Sequence, residues 1–600
     1  MHNPHKPLQY STIQHKNKPR VSDGAKANAF IEQYSGVSTC HPSSRPLEPM
    51  PRPTHKPPDV TRIEVDAAIA ALATGKAPGS DGIHAEMLKR LGPNARTAIA
   101  TLVSRTMQLA RTPKAFRVAL VVPLLKLGKD PTAPASYRPV ALTSVLAKLA
   151  ERVTLKRMSH FIELPDTQFG FRALRSTEDA VQLLVSEGHR ALRGGCEMAA
   201  VLVDFSKAFD KVDHRRLLGK LRRQNKLPEY LINWIGAFLQ GRIARTRVGA
   251  RESRSRAMTC GVPQGTILGP VLFNLYTADL LESLPKEQEA GIEAVAHAST
   301  SVGSVAYADD LTLFKVAKRA EDARAALQHS LDIIDRWAVD NFMEVNASKT
   351  VYAVFSKRPR LPDIALTLNG TPLQRDDGAR LLGVFLDPQL TMKNHASTSV
   401  REAHKRAASL KKIASRKFGP RTADLRSFLI GFVRSKLMYG MVCAHPSMCQ
   451  TRLEDLERVQ RGAARVATGL MPSASDSAAL LEANLLPLDV TAKLREIDLL
   501  ERAERGDSAL LQRAVKNNPT LDDARARRPA SDLPTTAPPR RPSVRPVADG
   551  QTPGRSAPRP STPRRLGGCV DRRPRRQERC FDARSCAAGN APDPPVRCGH

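Results

Sequence analysis

Two adjacent carboxylates, Asp309 and Asp310, interrupt an otherwise alternating apolar pattern. Val305 and Tyr307 alternate before the pair, and Leu311 and Leu313 alternate after it. The period is two on both sides, so the stretch reads as a β-hairpin with both acids at its tip. Like charges side by side repel, and folding alone gives no reason to place them there. A hard divalent cation does, because Mg2+ takes oxygen ligands and is held through one or two carboxylates. Aspartate is also common in turns, so an ordinary acidic turn is the plainer reading of this stretch alone.

The charge balance narrows the partners. The chain has 600 residues, with 93 Lys and Arg against 59 Asp and Glu, for a net charge of +34. That excess favours a polyanion, nucleic acid before membrane. Residues 521–600 hold 17 Arg, no Lys, 14 Pro and 8 acids, a net +9, which leaves +25 on residues 1–520. The basic character is therefore not only that of the Arg/Pro-rich tail, which is too poor in apolar residues to build a core and reads as disordered. Cys569, Cys580, Cys586, Cys598 and His600 lie there at spacings that fit no compact zinc motif. Nine scattered cysteines, a polar opening and no apolar run near 18 residues predict an intracellular, reducing setting without a membrane span. Nucleus and cytoplasmic ribonucleoprotein are not distinguished.

Residues 1–58, rich in Pro, His and Lys, read as a disordered linker. Thr61 and Glu64 form a capping-box pattern that starts the first expected helix. Further helices are expected near 83–91, 95–111, 142–157, 176–191 and 214–240, then 267–282 and 320–339. Strands are expected at 118–125, 199–203, 242–248, 351–356 and 381–386, and a helical pattern from 391 to about 516. Two strand ends carry chemistry. Val118 to Leu125 runs into Lys126, with Arg138 close behind, a pairing able to grip a triphosphate, although from these residues alone a solvated basic loop is the favoured reading. Ala199 to Val203 ends in Asp204, a position suited to a metal ligand or to a helix N-cap. Gln264-Gly265 sits in a Gly/Pro loop before a helix, where Gly265 lets another chain or a ligand approach the backbone.

Four blocks follow one another in order: Asp204-Phe205 with Phe209-Asp210, Gly261-Val262-Pro263-Gln264-Gly265, Tyr307-Ala308-Asp309-Asp310, and Leu382-Gly383-Val384-Phe385. Together they resemble the palm of a reverse transcriptase of the non-LTR (LINE-type, jockey- or ingi-like) retrotransposon class. Lys76 to Gly82, Tyr137-Arg138-Pro139, Gln168 to Arg172 and Asn346 to Thr350 extend the resemblance over roughly residues 60–480. It implies an α+β right-hand polymerase. Fingers would span 59–198, a palm with an antiparallel sheet 199–390, and a helical thumb 391–516, between disordered segments at 1–58 and 517–600. Such relatives usually carry an endonuclease domain ahead of the polymerase. Only 58 residues precede the first expected helix here, so this polypeptide is not expected to carry out transposition alone.

The resemblance also assigns roles. Asp204, Asp309 and Asp310 would be catalytic and, with the Phe205 carbonyl, would hold two Mg2+ ions, with Mn2+ as a substitute. Lys126, Arg138, Phe209, Gln264, Gly265 and Lys349 would contact the incoming dNTP, Phe209 by colliding with a ribose 2′-hydroxyl and Lys349 by protonating pyrophosphate. Leu382 and Gly383 would form the primer grip. The partners would be an RNA template, a DNA primer and dNTPs. Two rival readings stand beside this one: an inactive element remnant that only binds nucleic acid, and an RNA-directed RNA polymerase, disfavoured by Phe209.

Overall fold

The central sheet lies between two hydrophobic cores, one on each face. The computed structural model describes residues 10–45, 47–224, 227–285, 301–414, 419–506, 508–516, 518, 521 and 526. Eight of the strands organise the site: β1 (Val118–Leu125), β2 (Tyr137–Thr143), β3 (Glu197–Val203), β4 (Arg242–Val248), β5 (Gly303–Tyr307), β6 (Asp310–Ala317), β7 (Val351–Phe355) and β8 (Gln374–Arg375). The central sheet runs β8-β7-β3-β6-β5, antiparallel except for the β7–β8 pair. Along β3, Ala199, Val201 and Val203 enter one core, while Met198 and Ala200 enter the other. A strand buried on both faces reads as a continuous apolar run, which is what residues 198–203 show.

Nine of the helices bear on the site: α1 (Asp23–Val37), α2 (Val145–Met158), α3 (Thr177–Arg193), α4 (Gly269–Ser283), α5 (Arg324–Asp340), α6 (Lys393–Ile413), α7 (Gln450–Thr468), α8 (Leu488–Arg505) and α9 (Ala509–Lys516). Leu272 and Phe273 of α4, with Leu327, Leu331 and Ile334 of α5, cover one face of the central sheet. Val181, Leu184 and Val185 of α3 cover the other. The expected capping box is present, with Thr61 Oγ1 accepting from the Glu64 N–H at 3.2 Å.

A second sheet joins β2, β1 and β4, with two short strands, Arg251–Glu252 and Arg256–Met258, paired to β4. The β1–β2 pairing sets Leu125 opposite Tyr137 and Leu124 opposite Arg138, so Lys126 and Arg138 share one end of the hairpin.

Three expectations need correction. Residues 10–45 are not a linker. Ile13–His15 pairs with Lys18–Arg20, and α1 follows with Ser22 as its N-cap. Phe30, Ile31 and Tyr34 of α1 then pack on Ala119, Val121, Tyr137 and Ala141 of the second sheet. The strands are only three residues long, so their period could not be read among the Pro and Lys. The run 381–386 is not one strand either. It folds as Arg380–Leu381 against Val384–Phe385, with Leu382 and Gly383 in the turn at φ +47° and +90°. Finally, packing continues past 516: Leu521 is buried beside Leu499, Leu500 and Leu511.

Helices α6 and α7 and the start of α8 share their own core, in which Leu425, Leu429, Val433 and Leu437 meet Leu456, Val459 and Ala463 of α7. The helical run Thr422–Ser447 is long and apolar enough, by length and composition, to cross a membrane, and half of that window is buried within this core. The segment 286–300, the tail from 527 onward and its Cys and His residues lie outside the described residues.

Candidate active site

Strand register brings the three aspartates to one edge. Val203 pairs with Leu311 across β3 and β6, so Asp204, the next residue on one strand, lies beside Asp310, which begins the other. Asp310 pairs back to Tyr307 on β5, leaving Ala308 and Asp309 as the turn. The Asp204 backbone is clamped: its N–H donates to Thr350 Oγ1 at 3.2 Å, and its carbonyl accepts from the Asn346 N–H at 2.8 Å. Phe205 bridges to Val345, and its buried ring packs edge-on against Trp337.

Burial and like charge raise two of the carboxyl pKa values at this edge. Burial, then Asp309, then Asp204 push the Asp310 carboxyl up to about 6. Burial first, and then Asp204, also raise Asp309, while Arg138 acts against that shift. Lys349 Nζ sits 3.2 Å from Asp204 Oδ2. Among the described residues, no group of three or more His, Cys, Asp or Glu already closes around a point where an ion would sit. Asp204, Asp309 and Asp310 lie at one strand edge, and Mg2+ takes one or two carboxylates together with substrate phosphates. The donor set is all oxygen and fits a hard cation.

Most of the remaining candidates fall into two groups around this edge. Asp204, Asp310, Lys349, Leu382 and Gly383 line one groove of about 680 Å3, with Lys436 and Tyr439 also in its lining. Tyr439 Oη donates to the Leu382 carbonyl, which ties the turn to the C-terminal helices. In the second group, burial and then the charges of Arg138, Lys349, Lys129 and Lys207 lower the Lys126 pKa, so these cations crowd one region. Lys126, Lys207, Asp210 and Gln264 line a smaller cavity of about 120 Å3 between α1 and the second sheet. Phe209 is half-buried, its ring stacked on Phe273 of α4 at 4.4 Å between centroids.

Gly265 has φ +106°, and a Cβ there would lie 2.6 Å from the Ala141 carbonyl. The close approach foreseen at this glycine is made by the β2 backbone, and the Ala141 N–H also donates to the Gln264 carbonyl at 3.1 Å.

Residues 127–386 match the family model described as reverse transcriptase (RNA-dependent DNA polymerase). Over those residues the chain is similar to the RNA-directed DNA polymerases of non-LTR type elements. Its relatives include a probable RNA-directed DNA polymerase from transposon BS of Drosophila melanogaster, 30% identical over 70% of this chain and 44% of the relative. The RNA-directed DNA polymerase from mobile element jockey of the same organism is 30% identical over 57% of this chain and 37% of its own length. That of the X-element is 28% identical over 56% and 36%. The chain thus spans less than half the length of these relatives.

Two buried polar residues that brace loops of the candidate site escaped the sequence reading. Gln168, 1% exposed, accepts from the Ala308 N–H at 2.9 Å with its Oε1. Glu151, fully buried in α2, accepts from the Ile267 and Leu268 N–H groups at 2.7 and 3.0 Å and so fixes the loop that enters α4. Glu151 did carry a signal, as a lone acid beside the buried Leu149, Ala150 and Val153. Gln168 carried none beyond its place beside a glycine.

Proposed function

We propose that this chain is an RNA-directed DNA polymerase that extends a primer on an RNA template, with Asp204, Asp309 and Asp310 as its catalytic carboxylates. The observation that carries the reading is the β3–β6 register, which brings an acid at one strand end beside an acidic pair at the next. The second sheet with its flanking helices would be the fingers, the central sheet the palm and the helices from α6 the thumb, with residues 10–45 counted among the fingers.

Asp204, Asp309, Asp310 and the Phe205 carbonyl would hold two Mg2+ ions, which when bound stabilise the attacking and leaving oxygens of an in-line displacement. The chain's own residues position and neutralise. Lys126 and Arg138, at one end of the β1–β2 hairpin, would grip the triphosphate. Lys349, within reach of Asp204, would give its proton to the departing pyrophosphate. Phe209, braced by Phe273, would exclude a 2′-hydroxyl. Gln264 and Gly265 would bear on the template–nucleotide pair, and the Leu382–Gly383 turn on the primer.

The test is primer extension on an RNA template with dNTPs and Mg2+, run beside NTPs. The wild type should extend with dNTPs. Asp309→Asn should abolish extension while RNA binding stays nearly intact, because the carboxylate serves the metal and the basic surface supplies affinity. Near-wild-type extension by Asp309→Asn would remove the metal assignment.

A further inference from the structure

The turn that carries Asp309 is not held by its own hairpin alone. Ala308, just before it, has φ +58°, a left-handed conformation that costs a non-glycine residue free energy and persists only when surroundings impose it. The surroundings are residues 167–170. The Ala306 N–H donates to the Thr167 carbonyl at 2.9 Å, and the Phe169 N–H donates to the Ala306 carbonyl at 2.8 Å, so this segment lies parallel along β5. Where β5 ends, the Gln168 side chain continues the contact. Its Oε1 accepts from the Ala308 N–H at 2.9 Å and from the Gly170 N–H at 2.8 Å.

A second element holds Gly170 in turn. Asn274 of α4 donates from Nδ2 to the Gly170 carbonyl at 2.7 Å. A Cβ on Gly170 would lie 2.4 Å from the Ala308 nitrogen, so only glycine lets the segment close on the turn. Gln168 and Asn274 are both 1% exposed, and Gln168 Nε2 and Asn274 Oδ1 are buried without a hydrogen-bond partner among the described residues. A buried amide half left unmatched is a cost to stability. It is borne where the matched half sets the height of the acidic turn.

We propose that Gln168 is a positioning residue for the Asp309–Asp310 pair: its side-chain oxygen fixes the Ala308–Asp309 turn, and Asn274 supports it through Gly170. The proposal rests on the polymerase reading above for its consequence and on hydrogen-bond geometry for its cause. Groups that orient the ligands of a metal without touching it are worth tenfold to a hundredfold in affinity. Glutamine supplies the acceptor without bringing a third negative charge behind two carboxylates.

The test uses the full chain and Mn2+ binding followed by electron paramagnetic resonance, beside primer extension. Gln168→Met keeps the size and removes the acceptor, and should weaken Mn2+ binding by roughly tenfold or more. Extension should show a lower kcat and a higher requirement for Mg2+, with dNTP KM and RNA binding within about twofold of wild type. Gln168→Glu restores an acceptor oxygen and should lie closer to wild type than Gln168→Met in Mn2+ affinity, whatever either change does to the melting temperature. Asn274→Asp, which loses the donor to Gly170, should fall between and keeps the question answerable if Gln168→Met does not fold. Wild-type Mn2+ affinity in Gln168→Met, or equal losses in Gln168→Met and Gln168→Glu, overturns the proposal. So does a wild type whose Mn2+ binding is unchanged by Asp309→Asn. A wild type that binds Mn2+ through Asp309 yet extends no primer removes the polymerase reading and leaves the Gln168 comparison to decide its own case.

Discussion

Lys349 Nζ lies 3.2 Å from Asp204 Oδ2, a contact made across 145 residues of chain. The lysine side chain is 64% exposed, so the pair adds little to stability. Its value is positional, since it keeps an ammonium at the rim of the acidic edge. Lys349→Met should lower the rate of nucleotide addition by about 100-fold, the lower bound for a lost general acid. RNA binding should stay within about twofold, since one of many cations is removed. Single-turnover extension and its reversal with added pyrophosphate measure both directions, and an unchanged rate would return Lys349 to the solvated surface.

The Asp310 carboxyl, pushed up to about 6 by burial and by its two neighbours, makes a prediction about pH. Its folded value stands above the ordinary 3.8, so the native state binds the proton more tightly than the unfolded chain does. The resulting stability is full below the unfolded value and is lost as pH rises through about 6. At pH 7.5 without metal, the charged site therefore strains the fold. Asp310→Asn should melt about 1–2 °C higher than wild type there, and the gain should vanish at pH 4. Adding Mg2+ should raise the wild-type midpoint more than that of Asp310→Asn, and this protection should fade below pH 6 as the proton displaces the ion. Thermal melts at four pH values, with and without Mg2+, decide it.

What the sequence made legible was local. Period two around Asp309 and Asp310 located β5 and β6, and the apolar run ending at Asp204 located β3. Convergence of the two sites is not written in either stretch, because it depends on the Val203–Leu311 pairing. The contacts of Gln168 with Ala308 and of Glu151 with Leu268 span 140 and 117 residues, and a single amide or acid shows no period to betray them. The N-terminal segment was misread for another reason. Its strands are too short to show alternation, and the partner of its apolar face, the second sheet, begins about a hundred positions later. Leu382-Gly383 looked like strand interior because its neighbours are apolar, although a glycine inside such a run is itself a sign of a bend.

Gly265 tests the loop before α4. Alanine there would have to adopt φ +106° and would bring its Cβ to 2.6 Å from the Ala141 carbonyl. The loop must move off β2, at a cost of about 1–3 kcal/mol in strain. Gly265→Ala should therefore raise the KM for dNTP more than tenfold, because Gln264 moves with the loop. Affinity for RNA should hold within about twofold. A variant with wild-type dNTP kinetics would detach this loop from the nucleotide site.

Phe209 tests the proposed preference for deoxynucleotides over ribonucleotides. Its ring is not free-standing, since it stacks on Phe273 at 4.4 Å with the planes 20° apart. Phe209→Ala should then do two things at once. It should admit ribonucleotides, lowering the preference for dNTPs over NTPs by about tenfold to a hundredfold, within the range of a steric contact worth about 1–3 kcal/mol. It should also cost stability, about 2–3 kcal/mol for a half-buried ring that leaves a gap against Phe273. Competition assays with each dNTP and NTP pair, on protein shown folded by circular dichroism, measure the first effect. Unchanged selectivity with activity retained would leave Phe209 a packing residue alone.

The Arg-rich tail should serve binding and leave catalysis to the rest of the chain. Because Leu521 is buried against α8 and α9, the cut belongs beyond it, after residue 530. Residues 531–600 carry 14 Arg, no Lys and 6 acids, a net +8. Each phosphate neutralised on a single strand contributes roughly −0.7 to the slope of log affinity against log salt. The 6 acids offset part of the Arg and not every Arg reaches a phosphate at once, so removing the tail should flatten the slope by about 2–4 units. Affinity at low salt should fall with it, while extension at saturating RNA keeps its wild-type kcat. Equilibrium RNA binding across a salt titration, full chain against 1–530, is the measurement. Superimposable titrations would make the tail a solvated stretch that touches no RNA. Loss of extension in a 1–530 protein of wild-type circular dichroism would instead mean that catalysis needs residues beyond 530.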